Sequence, residues 1–276
     1  MEDASLTVAA PVAPRAVEES MRRLSLHAQI IRHDAAELAA GYTAAQHRLN
    51  IAGLLVFSGV AAWAGVHTFS RPIGVLPLVV GLLSGWVLTD FLCGLIHWAG
   101  DTWGRTKLPI VGRALVRNFR EHHVDPQAIT RHGMVQLLGE QAIVAIPVIG
   151  LLRLYDPAQD DEVGTTVLVS LYTTLVASVA ANLFHRWAHM RHPPLAARVL
   201  QRVGILISFK HHARHHCAPH LQRYCIAIGW LNPLLDGIRF WRGLEWLVWK
   251  ITGAVPREDD LGRPAALMIL RADNTQ

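Results

Sequence analysis

Cysteine is scarce in this 276-residue sequence, and the patterns of two common kinds of metal site are missing. The three cysteines, Cys93, Cys217 and Cys225, form no CxxC pair, and their odd number argues against a disulfide framework or a thiolate metal site. The sequence has neither the HExxH pattern of zinc proteases nor an ExxH pattern, which excludes a carboxylate-bridged di-iron bundle. We therefore expect reduced thiols that take no part in a metal site.

Charged residues are also few. They make up 17% of the chain against 51% apolar residues, and the mean hydropathy of +0.26 is high for a soluble globular protein. The formal charge of +5 is spread along the chain and comes with no RNA- or DNA-binding signature. Binding to anionic lipid head groups explains this basicity better than binding to nucleic acid. The composition thus predicts a membrane protein that binds no nucleic acid.

Four apolar stretches predict an all-α, multi-pass protein, because crossing a bilayer takes roughly 20 apolar residues in a helix. The third stretch is the shortest and has Glu140 and Gln141 near one end. Residues 240–251 contain three tryptophans and are predicted to form a helix that lies at the membrane interface or packs on a cytoplasmic domain. The four predicted spans are residues 51–69, 73–96, 142–154 and 163–184.

The flanking segments differ from this membrane part. Residues 1–50 have no apolar core before a small-residue cleavage site, so we expect an N-terminal cytoplasmic tail, partly disordered, and no secretory signal. Residues 51–255 are predicted to form the membrane domain that carries the functional site. Residues 256–276 are charged and are predicted to form a flexible C-terminal tail.

Lysine and arginine predict the orientation of the spans, because cytoplasmic loops are enriched in these residues. The successive segments outside the spans carry five, one, six, one and thirteen of them. This alternation predicts four helices with both termini in the cytoplasm. The ends of the second and fourth spans and the loops that follow them then lie on the same side of the membrane.

Sixteen histidines are the unusual feature of the composition, and most of them lie in short clusters on that predicted cytoplasmic side. His212, His215 and His216 form an HxxHH pattern, and on a helix positions three and four apart are neighbours. Three further clusters follow the second and fourth spans. They are His97 with Asp101, His122 with His123 and the later His132, and His185 with His189. Isolated histidines, by contrast, are usually packing residues, and we assign no ligand role to His27, His33, His47, His67 and His192.

The number of clustered imidazoles indicates more than one metal ion. A zinc ion takes about four ligands, and eight or more candidate histidines exceed that number. Metal-storage tracts are contiguous and low in complexity, whereas these residues lie in four separated segments. A histidine-rich site without thiolates favours a pair of iron ions that activate dioxygen, although copper and zinc accept the same side chains.

The histidine clusters lie within four longer motifs, which are DFLCGLIHWAGDTWG, LPIVGRALVRNFREHHVDPQAITRH, NLFHRWAH and KHHARHHCAPH. After the last of them the chain continues through YCIAIGWLNPLLDGIRFWRGLE to PREDD. With these motifs the sequence resembles, over residues 90 to 260, the plasmanylethanolamine desaturases, also called Kua or CarF-type proteins.

The resemblance implies a di-iron enzyme that removes two hydrogens from the first two carbons of an alkyl ether chain on an ethanolamine phospholipid, which makes a vinyl ether. Such an enzyme consumes dioxygen and takes two electrons from a small cytochrome- or ferredoxin-type protein. CarF-type bacterial members are linked to light-induced carotenoid synthesis through plasmalogens. The expected location of this chain is a bacterial inner membrane, with the active site on the cytoplasmic side that the lysine and arginine distribution predicts. The implied iron ligands and catalytic residues are His97, His122, His123, His185, His189, His212, His215 and His216.

Other residues match family positions without an assigned role. Asp101, His132, Asn182, His211 and His220 are expected to contact the cofactor, to support its ligands or to be structural. Asp101 is spaced to hold the imidazole of His97 by its other ring nitrogen. Lipid phosphate or a negatively charged electron donor could bind to three arginines, although solvated surface charge is the simpler interpretation of Arg117, Arg120 and Arg214.

Two alternatives stay open at this point. The first is a related membrane hydroxylase or acyl-lipid desaturase with the same metal site. The second is a haem or metal transport protein, which needs polar residues within the spans. The predicted spans are nearly free of charge, and haem would need only two axial histidines.

Overall fold

The computed structural model of the protein describes residues 36, 40–104, 112 and 116–272. These residues form helices joined by loops, and no strand occurs among them, so the predicted all-α class is confirmed. Most of the predicted N-terminal tail, residues 1–50, lies outside the described residues. In chain order the helices are α1 (Ala44–Phe69), α2 (Val75–Thr102), α3 (Arg117–Val124), α4 (Ala128–Arg131), α5 (Met134–Leu152), α6 (Glu162–His189), α7 (Leu195–Arg202), α8 (Phe209–His212), α9 (Asn232–Gly237), α10 (Phe240–Thr252), α11 (Glu258–Leu261) and α12 (Arg263–Ala272).

Helices α1, α2, α5 and α6 are long and apolar enough to cross a membrane, which confirms four candidate spans. Each of them is longer than the apolar stretch that predicted it, because polar residues extend the helix at an end. The third span shows this best, since α5 begins at Met134 and takes in Glu140 and Gln141. Its 19 residues are enough for a bilayer crossing.

Small residues bring α2 and α6 into close contact. A Cβ atom added to Gly81 would lie 2.7 Å from Cβ of Val169, and one added to Gly85 would lie 2.6 Å from the carbonyl oxygen of Ser170. Such glycine contacts are typical of helices that pack within a membrane. Because later residues of α2 meet later residues of α6, the two helices run parallel and end on the same side of the bundle.

A buried acid in the middle of α2 anchors the chain that returns after α8. The carboxylate of Asp90, fully buried, accepts hydrogen bonds from the backbone N–H groups of Ile228 and Gly229 at 2.9 Å and of Leu231 at 3.3 Å. Hydrogen bonds from three backbone donors satisfy a carboxylate in an apolar setting. Asp90 is the one acidic residue in this predicted span, and these backbone N–H groups stabilise its charge.

The segment after residue 255 differs from the flexible tail that the sequence predicted. Through Ala272 it forms helices α11 and α12, and the side chain of Arg257 is 3% exposed. The reason is an ion pair, since Arg257 donates two hydrogen bonds, of 3.0 and 2.7 Å, to the buried carboxylate of Glu245 on α10. Arg257, one of the charged residues that suggested a solvated tail, is therefore neutralised in the interior.

Helix α10 corresponds to residues 240–251, which were predicted either to lie at the membrane interface or to pack on a cytoplasmic domain. One of its tryptophans, Trp241, is 1% exposed and packs in a core cluster, whereas Trp246 is 39% exposed. The helix therefore packs through one face, and its other face carries Trp246 and the exposed Leu247.

Removing one partner of the Arg257–Glu245 pair should destabilise the protein. We expect Arg257→Met to reduce the free energy of unfolding by about 3–5 kcal/mol, because a buried charge is left without its partner. The matched control is Arg263→Met, which breaks the exposed 3.1 Å pair with Glu258 and should cost about 1 kcal/mol or less. Thermal unfolding in detergent measures both variants, and equal melting temperatures would contradict a structural role for the buried pair.

Candidate metal centre

The histidine clusters meet where α2 and α6 end. The ring centroids of His97 on α2 and His185 on α6 lie 5.6 Å apart. Helix α3 contributes His122 and His123, and α8 with the turn after it contributes the HxxHH residues. All eight histidines expected to bind metal are brought together, and they separate into two adjoining groups.

The first group consists of five imidazoles and contains no carboxylate. The Nε2 atom of His185 lies 2.7 Å from Nε2 of His212, and Nε2 of His212 lies 3.0 Å from Nε2 of His216. A potential ligand atom of every member lies within 4.8 Å of those of the others. This five-histidine group consists of His122, His185, His189, His212 and His216.

The second group contains three imidazoles and one carboxylate. The Oδ2 atom of Asp101 lies 3.2 Å from Nε2 of His97, 3.3 Å from Nε2 of His215 and 3.5 Å from Nε2 of His123. The side chain of Asp101 is 1% exposed, and histidines are its ion-pair partners among the described residues. We call these four residues the aspartate group.

Backbone carbonyls fix two imidazoles of the aspartate group. Nδ1 of His97 donates to the carbonyl oxygen of Tyr224 at 3.0 Å, and Nδ1 of His215 donates to that of Gln222 at 2.8 Å. A ring whose Nδ1 carries the proton presents the Nε2 lone pair to the other side, which is how imidazoles that bind metals are oriented. The sequence predicted that Asp101 would hold the second nitrogen of His97, but a carbonyl takes that position and Asp101 faces Nε2.

Burial favours the neutral form of the imidazoles of His122, His123 and His212 on α3 and α8. It lowers the pKa of His122 and of His212 well below the ordinary value near 6.5, and neighbouring imidazoles lower both further. Burial also lowers the pKa of His123 well below that value, and the nearby carboxylate of Asp101 opposes the shift. Neutral imidazole is the form that donates a lone pair to a metal ion.

The donor atoms fit a pair of metal ions. Both ring nitrogens of His122, Nε2 of His97 and both carboxylate oxygens of Asp101 are buried without a hydrogen-bond partner. A buried carboxylate without a cation is costly, and so are lone pairs that face one another at about 3 Å. Cations at the centres of the two groups would satisfy one ring nitrogen of His122, Nε2 of His97 and the carboxylate of Asp101. The groups offer five and four ligands, all nitrogen or oxygen, which suits iron and also copper or zinc.

The other predicted contacts surround the metal groups without joining them. His220 stacks on His123 with ring centroids 4.1 Å apart. Nε2 of His211 lies 3.2 Å from the amide of Asn232, and Nε2 of His132 lies 3.4 Å from the carboxylate of Glu121. Asn182 donates to the carbonyl oxygen of Leu137 at 3.2 Å.

Two of the three arginines interpreted as solvated surface charge are buried, so that interpretation was wrong for them. Arg117 is 4% exposed and pairs with Glu121 at 3.2 Å. Arg120 is 5% exposed and donates to the backbone carbonyl of Asp101 and to the carboxylates of Asp259 and Asp260. A buried arginine on α3 requires such acidic partners to offset the loss of hydration. Arg214 is exposed, as the sequence predicted.

Sequence reasoning missed Tyr224, which connects the aspartate group to the C-terminal helices. Its carbonyl oxygen holds His97, and its hydroxyl donates to the carbonyl of His220 at 2.5 Å and accepts from Arg257 at 2.7 Å. Every residue has a backbone carbonyl group, so the sequence does not show which carbonyl holds His97. The signal that could have indicated this residue is its position within the YCIAIGW motif.

A cavity of about 70 Å³ adjoins the five-histidine group. His122 and His185 form part of its wall, and so do the Glu121 and His132 pair and residues of α4 and α5. The cavity gives small molecules or a short segment of a larger one direct access to two candidate metal ligands.

The depressed pKa values predict how metal affinity depends on pH. In an Asp101→Asn variant, which keeps the five-histidine group intact, we expect Co²⁺ affinity to change little between pH 8 and pH 6, because protons do not compete until well below pH 6.5. The control is an exposed two-histidine site made by Arg198→His with Arg202→His on α7, one helical turn apart. Its affinity should fall as the pH approaches 6.5. Isothermal titration measures both, and a parallel decline would contradict neutral burial.

Comparison with known proteins gives a consistent result. The lipid desaturase domain matches residues 86–259. The plasmanylethanolamine desaturase of Myxococcus xanthus is 36% identical over 254 residues, which cover 91% of this chain and 89% of that protein. Plasmanylethanolamine desaturase 1 of Mus musculus is 40% identical over 191 residues, 67% of this chain and 70% of that protein.

A more distant relative and the solved structures complete the comparison. The chloroplastic fatty acid desaturase 4 of Arabidopsis thaliana is 32% identical over 217 residues, which cover 76% of this chain and 64% of that protein. No solved structure matches the chain. The resemblance found in the motifs is confirmed, and the chain belongs to the plasmanylethanolamine desaturase family of lipid desaturases.

Proposed function

We propose that this chain is a membrane-bound plasmanylethanolamine desaturase. It removes one hydrogen from each of the first two carbons of the alkyl ether chain of an ethanolamine phospholipid, and the product is a vinyl ether. The observation that carries the proposal is the convergence of eight imidazoles and one carboxylate at the ends of α2 and α6, in a chain whose relatives bear this name.

The proposed cofactor is a pair of iron ions. The five-histidine group would hold one ion and the aspartate group the other. Bound iron supplies the means to reduce dioxygen with electrons and to take hydrogen atoms from an unactivated carbon. In the overall reaction the ether lipid, one dioxygen, two electrons and two protons give the vinyl ether lipid and two waters.

The chain's own residues orient the ligands and exclude water. Carbonyl oxygens of Tyr224 and Gln222 keep His97 and His215 in one tautomer, with Nε2 toward the ion. The low exposure of His212 and His215, 1% and 0%, keeps bulk water away from the reacting atoms. The four bilayer helices keep the lipid substrate beside the site in the membrane.

The electrons come from outside the chain in this proposal. A small cytochrome- or ferredoxin-type protein would deliver them on the side where α2 and α6 end. The distribution of lysine and arginine supports a cytoplasmic location for that side, and we propose a bacterial inner membrane as the location.

A second candidate is an acyl-lipid desaturase, favoured by the match to a fatty acid desaturase of Arabidopsis thaliana. The two functions differ in the lipid consumed. Cells supplied with both lipid classes distinguish them, because only the first function produces vinyl ethers and only the second produces new acyl double bonds.

Expression in cells that contain saturated ether phospholipids tests the reaction. We expect vinyl ether phospholipids by mass spectrometry from the wild-type chain, and none above background from His212→Ala, since that change removes a central member of the five-histidine group. His192→Ala is the matched control, because His192 is exposed and lies outside both metal groups. Unchanged product from His212→Ala would contradict the proposed site.

The metal content of purified protein tests the paired ions separately from activity. We expect about two ions per chain in the wild type, because two complete donor groups are present, and about one in Asp101→Asn, which loses the only carboxylate of its group. Elemental analysis by mass spectrometry measures both. Equal content in the two proteins would exclude Asp101 as part of a metal site.

A further inference from the structure

The cavity beside the five-histidine group has a lining that a purely hydrocarbon ligand would leave unsatisfied. Amide side chains from α3, α5 and α6 line it, next to the imidazoles of His122 and His185. Two of these helices are bilayer helices, where amide groups are costly unless they have polar partners. The amides are Asn118, Gln136, Gln141 and Asn182.

For two of these amides, Gln141 and Asn182, the hydrogen-bonding capacity is not exhausted by the described protein groups. The Oε1 atom of Gln141 is buried without a hydrogen-bond partner. Asn182 uses one N–H for the carbonyl oxygen of Leu137, and a primary amide has two. Buried polar atoms are nearly always paired with protein, water or ligand, so a polar part of a ligand is the partner these groups lack.

The remaining wall of the cavity is apolar. Phe119, Ile129 and Leu137 line it, and the last two are 8% and 3% exposed. A ligand segment that fits both parts therefore combines an oxygen atom with adjoining methylene groups. The volume of about 70 Å³ is several times the roughly 10–15 Å³ of cavity space that one water needs, so a short ligand segment fits there.

We infer that this cavity binds the oxygen-bearing end of the lipid chain, with the ether oxygen on the amides and the first methylenes beside His122 and His185. A methylene from the middle of a chain accepts no hydrogen bond and would leave the amides unpaired. The terminal torsion of Gln141 can turn by half a rotation and present its N–H groups to an ether oxygen. The site of oxidation is then fixed from the head-group end of the lipid. The inference rests on the proposed desaturation.

Photo-crosslinking in lipid nanodiscs tests this orientation without turnover. Two ether phosphoethanolamine lipids carry a diazirine, one on the third chain carbon and one on the fifteenth. We expect the near probe to label peptides that contain residues 128–141 and 182–185, and the far probe to label other segments. Equal labelling of the cavity by both probes, or labelling by the far probe alone, would overturn the inference.

Variants of the cavity amides test the same contact in the reaction. Gln141→Leu and Asn182→Leu should each lower near-probe labelling and reduce kcat/KM for the ether lipid by about tenfold, the value of one hydrogen bond, with metal content unchanged. Gln201→Leu is the matched control, because Gln201 bonds to the carbonyl of Ile207 and does not line the cavity. Wild-type rates in both cavity variants would overturn the inference.

The outcomes also separate this inference from the proposed reaction. A wild-type chain that makes no vinyl ether, but whose cavity is labelled by the near probe, would refute the reaction and support the cavity assignment. A chain that makes vinyl ether but carries the near probe elsewhere would support the reaction and refute the cavity assignment.

Discussion

The constraint on which the rest of the structure depends is the burial of one carboxylate among eight imidazoles that face one another. Asp101 is buried, and histidines are its ion-pair partners among the described residues. Burying such groups is unfavourable unless cations satisfy their lone pairs. The free energy of binding the proposed metal ions would therefore offset the cost of assembling the site, and the two processes would be coupled.

The bilayer helices supply the rigid frame for this assembly. Close glycine contacts at Gly81 and Gly85 hold α2 and α6 side by side, and the later parts of these parallel helices carry His97 and His185. The anchoring of the return segment on Asp90 then brings the segment from Tyr224 to Leu231 against α2. Rigid elements place ligands more precisely than loops do, which explains why the metal groups form at helix ends.

Much of the site was predictable because its signals lie in side chains. Apolar stretches predicted four spans, and histidine spacing predicted which residues would meet, since both depend on helical periodicity. The partition into two groups was only partly predictable. Adjacent residues such as His122 and His123 face different ways on a helix and could be expected to serve different metal ions, but the spacing does not say which group each one joins. The supporting carbonyls of Tyr224 and Gln222 were also hidden, because a backbone oxygen is present at every residue.

The C-terminal segment also shows what the sequence alone does not predict. Local composition favoured a solvated tail, but partners distant in sequence bury Arg257 against Glu245 and Tyr224. Tertiary contacts of this kind override composition, and they extend the support of the metal groups to α10. The membrane helices, the histidine-bearing helices α3 and α8, and the C-terminal helices thus all support the two metal groups.

Anomalous X-ray diffraction at the iron absorption edge, from crystals of the purified protein, tests the central claim most directly. Two separate iron peaks are expected, one among the five imidazoles and one beside Asp101, His97, His123 and His215. A single peak, or peaks that lie away from both groups, would contradict a paired metal centre held by these residues.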